Sequence, residues 1–485
     1  MSKTALRDIV VILPGITGSV LQKNGKDVWN FSGQSVWQLV QTFGDSLNQL
    51  KLAGDDTGIK DLEDGIQATG LVQGAHIIPG LEKILGGYHI TAKLITDHFE
   101  VIEGNVFDKK PANFYEFPYD WRRDNRINAN LLKEFLDRQL PLWRNHTGLK
   151  DAKVILLAHS MGGLVARYYL EVLEGWQDCK VLFTFGTPYR GSINAINFLA
   201  NGYKLLKLID LTDVLRSLPS VYQLMPRQPV LKIDGSYQSI AKAAIPLPYI
   251  DPQKALDAWN FHSEIEAAVK RHLDDAKYLR SYKINPIVGI KQTTKLSALL
   301  TGDTITISET ELPEGIDSIY GDGDGTVPYW SAIPQELSYE YRETYICEQH
   351  GAIQSNTEVL RQVHDRIRGM QAQGLGDIRG PEVAPDLAEK AAISLSVEDL
   401  YSAEEAIVIR AQLKDTNRDF SGLKAEVRSI APEGHIRTVE LQSKGEDWIA
   451  ETGALEPGVY QVTVQTNQFI AGAPIPVRDV FEVIP

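Results

Sequence analysis

The 485-residue sequence has only two cysteines, Cys179 and Cys347. That excludes a disulfide framework, and neither cysteine sits in a CxxC pair or in a Cys/His cluster with zinc spacing. HExxH is missing, and so is GxxxxGK[ST]; a zinc-protease helix and a nucleotide phosphate loop are therefore not expected. No apolar run reaches the length of about 18 residues that a spanning helix needs. Positive charge is also short: 49 Lys and Arg stand against 63 Asp and Glu, a net charge of −14. Such a balance repels phosphate backbones, so nucleic acid is not an expected partner. The opening residues Met1–Asp8 are polar, and Ile9–Leu13 is too short for the apolar part of a secretory leader. Together with two reduced thiols, this predicts a cytoplasmic protein.

What is present is a series of buried-strand patterns. Ile9–Leu13 (IVVIL), Val154–Ala158 (VILLA) and Val181–Phe185 (VLFTF) are continuous apolar runs. Each stops at a turn signal, as strands buried on both faces do. A helix is predicted over Leu131–Trp143, and helix-period apolar residues (Leu164, Val165, Tyr168, Tyr169, Val172) follow the second run. Strands alternating with helices indicate an α/β fold with a mostly parallel sheet. Further strands are expected at Ile287–Ile290 and Thr344–Cys347, and a helix at Gln354–Gly369. The expected division is an α/β unit over residues 1–370 with cap insertions near 23–105 and 192–281, the second mostly helical. A Gly/Pro/acid-rich linker is expected over 371–388, then about seven short strands over 389–485. Strands that short, separated by turns, read as an immunoglobulin-like β-sandwich.

The chemistry is concentrated after the second run. Ala158-His159-Ser160-Met161-Gly162 lies between a strand and a helix, the setting of a nucleophile elbow. The tight turn demands small residues two before and two after the serine, and Ala158 and Gly162 comply. A serine needs a base to take its proton. His350 follows a strand and opens a loop, which makes it the expected general base; His159 should point away from Ser160, and His364 should lie on a helix surface. The third group should be a carboxylate between serine and histidine in chain order. Gly321-Asp322-Gly323-Asp324-Gly325 offers two, and spacing favours Asp324 over Asp322. The same loop resembles the start of a calcium-binding EF-hand, but Val327 and Ile333 stand where that loop needs glycine and glutamate, so no metal is expected. The oxyanion donors should be the Met161 amide and an amide of the loop Pro14-Gly15-Ile16-Thr17-Gly18.

With these segments in place, the chain resembles the lecithin:cholesterol acyltransferase family, which includes lysosomal phospholipase A and phospholipid:diacylglycerol acyltransferase. The resemblance rests on Pro14-Gly15, Phe117-Pro118-Tyr119-Asp120-Trp121-Arg122-Arg123, the serine elbow, Gly186-Thr187-Pro188-Tyr189-Arg190-Gly191, Arg216–Ser220, Leu224-Met225-Pro226, Gly321–Val327 and His350. It implies an α/β-hydrolase fold, Asp324 as the acid, Thr17 as the oxyanion amide, and an acyl site near Ile16, Asp120 and Trp121. Trp121 would wall the acyl pocket, and Asp120 would pair with Arg122 or Arg123. The strands after residue 385 lie outside the resemblance, so losing them should spare some activity on soluble esters.

The reaction expected from these residues is hydrolysis of a lipid acyl ester, or transfer of its acyl group to an alcohol, through an acyl-serine and without a cofactor. Two amphipathic stripes, Gln34–Phe43 and Asn194–Ile209, suit a bilayer surface or an acyl chain, with core packing as the alternative. A non-catalytic lipid-binding or adhesion module, and a thioesterase or peptidase on the same fold, are the competing readings.

Overall fold

In the computed structural model, the described residues are 3–30, 44–74, 76–78, 82–205, 209–337, 344–371, 391–415, 420, 422–431, 434–467 and 472–485. The stripe at 34–43 lies outside them, as does the expected linker beyond Gln371.

Seven strands form the central sheet: β1 Ile9–Leu13, β2 Glu103–Gly104, β3 Phe114–Glu116, β4 Val154–His159, β5 Cys179–Phe185, β6 Lys283–Gly289 and β7 Thr344–Ile346. Their order is β7-β6-β5-β4-β1-β3-β2, and every pairing is parallel. All five residues of β1 and all six of β4 are buried, which is why these strands read as unbroken apolar runs. Six helices matter here: α1 Tyr88–His98, α2 Asn125–Thr147, α3 Met161–Glu171, α4 Ile193–Asn201, α5 Pro252–His272 and α6 Thr357–Gln371. α2 starts on the Asp124 side chain, which accepts from the Arg126 amide, and ends at Gly148 in the left-handed region, the usual cap pair. The chain reaches β3, then crosses by α2 to β4 on the other side of β1. The order therefore reverses between β1 and β4, and a crevice opens at their carboxyl ends, where parallel sheets bind ligands.

The insertions differ from expectation in two respects. Glu103–Gly104, inside the first, is the edge strand β2 of the central sheet. Residues 192–281 hold α4, α5 and three short helices, Thr212–Ser217, Pro219–Gln223 and Tyr278–Ser281, but also the strands Leu231–Ile233 and Ser236–Gln238. These join the hairpin Ser297–Thr301/Thr304–Ser308 in a four-stranded sheet. The hairpin turns at Gly302, whose φ of +57° suits glycine. Of the stripe Asn194–Ile209, Ile196 and Leu199 on α4 and Tyr203 just after it are buried in the main core, while residues 206–208 lie outside the described residues. Packing within the protein accounts for the described part of that face.

After residue 391 the chain forms β8 Ala392–Ser396, β9 Leu400–Ser402, β10 Val408–Lys414, β11 Leu423–Ser429, β12 Ile436–Lys444, β13 Asp447–Glu451, β14 Gly458–Thr466 and β15 Val477–Ile484. Their order is β8-β10-β13-β12-β11-β14-β15-β9. β12 pairs with β11 through Leu441 and with β13 from Gln442 onward. β8 meets β14 and β15 near the far end of that order. The strands thus wrap around one apolar core that includes Ile409, Leu423, Val462 and Phe481.

Candidate active site

Ser160 sits where β4 passes into α3, with φ 49° and ψ −123°. A serine in that region is strained by about 1–3 kcal/mol and persists only where its surroundings enforce it. Several bonds do so. The Ser160 amide donates to the Phe185 carbonyl at 2.9 Å, and the Ser160 carbonyl accepts from Thr187 Oγ1 at 3.0 Å. Space is equally restrictive: a Cβ on Gly162 would lie 2.3 Å from the Pro14 carbonyl oxygen, and one on Gly163 would lie 2.0 Å from Thr187 Oγ1. Gly162 therefore lets α3 pass against the loop after β1.

From the elbow a chain of side-chain bonds runs outward. Ser160 Oγ is 3.0 Å from His350 Nε2. His350 Nδ1 is 2.7 Å from Asp324 Oδ2. Asp324 Oδ1 accepts from the amides of Thr326 at 2.9 Å and Val327 at 2.7 Å. With both oxygens engaged, the carboxylate is fixed in rotation. All three residues are buried. Gly186 backs this chain: at φ +59°, it leaves the space where a Cβ would come within 2.8 Å of Asp324 Oδ2 and 2.9 Å of His350 Nδ1.

Asp322, the alternative acid, does not join this chain. Its main-chain carbonyl accepts from the Tyr329 amide, while its side-chain Oδ1 is buried with no partner among the described residues. Burial pushes its carboxyl up to about 6. His159 turns away from Ser160, as expected, and lies 3.0 Å from the Tyr88 hydroxyl. That hydroxyl also accepts from the Gly15 amide at 2.8 Å, tying α1 to the loop after β1. Tyr88 was not legible as a site residue, because nothing in its local pattern marks a distant partner. His364 is half-buried against His98 and Phe99 on α6. Among the described residues, no cluster of histidine, cysteine or carboxylate groups could hold a metal ion.

The loop after β1 lies over the elbow. Thr17 is buried with φ 63°, and its carbonyl accepts from Trp29 Nε1 at 2.8 Å. Ile16 lines a cavity of about 30 Å³ beside Ser160 and His350, together with Phe198, Val221, Leu224 and Val327. Met161 is fully buried at the first turn of α3. The two remaining residues belong to the segment before α2, Trp121 buried and Asp120 half-buried. Trp121 is 2% exposed, donates to the Ser19 carbonyl and packs on Trp29 with ring centres 5.0 Å apart; it is not among the cavity's described lining residues. Asp120 pairs with Arg122, as expected, at 2.6 Å, while Arg123 pairs with Asp55. Arg122 is wholly buried and also reaches Asp64, so this segment braces the core beneath the site.

Comparison with known proteins bears on the same stretch of chain. Residues 96–246 match the family model described as lecithin:cholesterol acyltransferase. Human (Homo sapiens) "Lysosomal phospholipase A and acyltransferase" is 30% identical over 91 residues, 18% of this chain and 20% of that protein. The chain thus spans about a fifth of the length of the curated relative it matches. Among solved structures, the Bacillus licheniformis lipase BlEst2 in its propeptide form is 12% identical over 98% of this chain and 92% of that one, with a TM-score of 0.31. Its mature form is 14% identical over 74% of this chain and 91% of that one, at 0.30. Likeness at that level carries no argument about fold or function. The family match encloses the Pro118–Arg122 segment, the serine elbow and the Gly186–Gly191 turn, and over residues 96–246 the chain carries the pattern of the lecithin:cholesterol acyltransferase family.

Proposed function

We propose that the protein is a serine-dependent hydrolase of lipid acyl esters, able also to pass the acyl group to an alcohol, working through an acyl-serine. The observation that carries this reading is the bonded chain from Ser160 through His350 to Asp324 at the carboxyl end of the parallel sheet. Ser160 is the nucleophile and His350 the base that takes its proton. Asp324 holds the imidazole with its Nδ1 proton inward and stabilises the imidazolium once formed. As the ester carbonyl becomes tetrahedral, its oxygen collects negative charge between the amides of Thr17 and Met161. His350 then returns the proton to the departing alcohol. Water or an acceptor alcohol enters by the reverse of the same steps, and the serine is regenerated with no cofactor.

The apolar lining of Ile16, Phe198, Val221 and Leu224 supports an acyl substrate over a peptide or a charged thioester. The cavity has room for only a water or two, so the helices over it must part to admit an acyl chain, as lids do. Hydrolysis and transfer share every step up to the acyl-serine; water exclusion at that stage decides between them. An immunoglobulin-like sandwich over 389–485 and a cytoplasmic setting belong to the same reading, the latter supported by the free thiols of Cys179 and Cys347.

The test is mass spectrometry of the full chain after incubation with mixed phospholipid liposomes, with and without a long-chain alcohol. Free fatty acid that persists with alcohol present identifies a hydrolase. Alcohol ester formed at its expense identifies an acyltransferase. If neither product forms and Ser160 is not labelled by a fluorophosphonate, the reading is wrong.

A further inference from the structure

The strands after residue 391 touch the segments that flank the histidine and the acid. Glu348, two residues before His350, has a side chain with no exposure. Its carboxylate accepts from Arg478 Nε at 3.1 Å and Nη2 at 2.9 Å, and from the Arg478 amide at 3.1 Å. Arg478 belongs to β15. Gln349, the next residue, donates through Nε2 to the Leu395 carbonyl on β8 at 2.9 Å. Gln292 links the same strand to the acid loop. Its side chain donates to the Ile393 carbonyl and accepts from the Leu395 amide, both at 3.0 Å. Its backbone exchanges two bonds with Gly323, beside Asp324. On the far side of the turn, Ala352 packs with Val480 of β15 and Leu85, and a Cβ on Gly351 would lie 1.2 Å from the Lys83 carbonyl oxygen. Lys83 in turn pairs with Asp399 and Asp479.

We infer that the C-terminal unit is part of the construction of the active site, and that Arg478 is a positioning residue that sets His350 against Ser160. The inference rests on the roles proposed above for Ser160, His350 and Asp324. The guanidinium grips Oε2 through two N–H groups while the Arg478 amide holds Oε1, and three charge-assisted bonds to one buried carboxylate fix direction as well as distance. Here they fix the residue two before the base, in a segment whose next side chain is tied to β8. Without Arg478, the buried Glu348 carboxylate would keep Asn356 Nδ2 and the Gln349 amide as donors but lose its counter-charge, and it would draw the segment toward water. A turn displaced by an ångström misplaces His350 Nε2 by a similar amount, and such errors cost a large part of the rate. The unit is thus a brace on one half of the site, and removing it should cost activity on soluble as well as aggregated esters. The sequence leads us to expect some activity on soluble ester without these strands; the brace predicts that what remains is much reduced.

The test compares full-length parent, Arg478→Ala, Arg478→Lys and Leu441→Ala, the last being a core change on β12. Turnover of a soluble p-nitrophenyl ester and the rate of fluorophosphonate labelling are measured, with proton NMR of the hydrogen between His350 and Asp324. Arg478→Ala is expected to lower kcat and labelling roughly 10- to 100-fold with KM within about twofold, and to broaden the proton signal. Arg478→Lys, which keeps the charge but loses the fork, should recover part of both. Leu441→Ala should lose thermal stability while keeping kcat and the signal. If Arg478→Ala does not fold, Arg478→Gln replaces it with the same expected loss. Parent-like or raised kcat in the Arg478 variant, or equal losses in Arg478→Ala and Leu441→Ala, would overturn the inference. A parent that takes no fluorophosphonate would sink the proposed reaction instead, and the proton signal would still decide whether Arg478 positions His350.

Discussion

Ser160 and the Asp324–His350 pair meet within hydrogen-bonding distance, but different parts of the chain hold them. The elbow is fixed by its immediate neighbours in the parallel sheet: the Phe185 carbonyl at the end of β5, Thr187 just beyond it, and the Pro14 carbonyl just after β1. The acid and histidine stand on two loops, and what lies behind them is a separate set of strands from residues 392–484. One half is therefore rigid through the central core. The other depends on an interface whose contacts are side chains and strand-edge carbonyls. Substitutions in the first half should abolish chemistry without loosening anything. Substitutions in the second should grade activity according to how far the histidine moves.

The largest effect is expected at the elbow. Ser160→Ala should lower ester turnover by about 10⁵-fold or more with no loss of thermal stability, since the backbone bonds of the elbow to Phe185 and Thr187 remain. Full activity in that variant would remove the elbow from the mechanism. Asp324→Asn comes next, at about 10³- to 10⁴-fold in kcat. The Thr326 and Val327 amides both point at Oδ1, so an asparagine must keep its oxygen there and turn its NH₂ toward His350. The imidazole then has to accept at Nδ1, its proton moves to Nε2, and it can no longer take one from Ser160. A loss smaller than tenfold would mean that His350 is oriented by other contacts.

A graded effect belongs to the turn itself. In Gly351→Ala the added carbon collides with the Lys83 carbonyl, and backbone must yield. The expected loss is roughly 10- to 100-fold in kcat. Gly54→Ala, with nothing within 4 Å of the new carbon, should change nothing. Equal behaviour of the two variants would show that the histidine turn tolerates displacement, and would erase the contrast between the two halves.

The same contrast governs what the sequence reveals. β1, β4 and β5 are legible because burial on both faces leaves no polar residue to break the run, and the serine elbow is legible because its constraints lie within five residues. His350 was found from its place after a strand. Asp324 was separable from Asp322 by spacing and by resemblance, but its distinguishing bonds, two loop amides and an imidazole, appear only in three dimensions. The bracing by Arg478 left no local signal: it lies 130 positions from Glu348 on a strand that reads as ordinary alternation. The hairpin Ser297–Ser308 carries its own turn signal, Thr301-Gly302-Asp303-Thr304 between alternating residues. Its sheet is not legible because the partner strands Leu231–Ile233 and Ser236–Gln238 lie far earlier in the chain, inside a stretch that reads as helical.

The smallest effect should be at Asp322, and it separates the two aspartates by stability as well as by rate. The folded carboxyl ionises near pH 6 against an ordinary 3.8, because burial penalises its charge. A raised folded value means that the native state holds this proton more tightly than the unfolded chain does. The contribution is therefore favourable below pH 4. It is lost as pH rises from about 4 to 6, and at neutral pH the buried carboxylate costs on the order of 3 kcal/mol. Asp322→Asn keeps the shape and cannot ionise. Its melting temperature should match the parent near pH 4 and exceed it progressively toward pH 7, while kcat stays within roughly threefold. Asp324→Asn should show the opposite pattern, with the rate gone and no such stability gain at neutral pH. A large rate loss in Asp322→Asn would place that carboxylate in the reaction and exchange the two assignments; a pH-independent difference in melting temperature would mean that burial does not hold its proton.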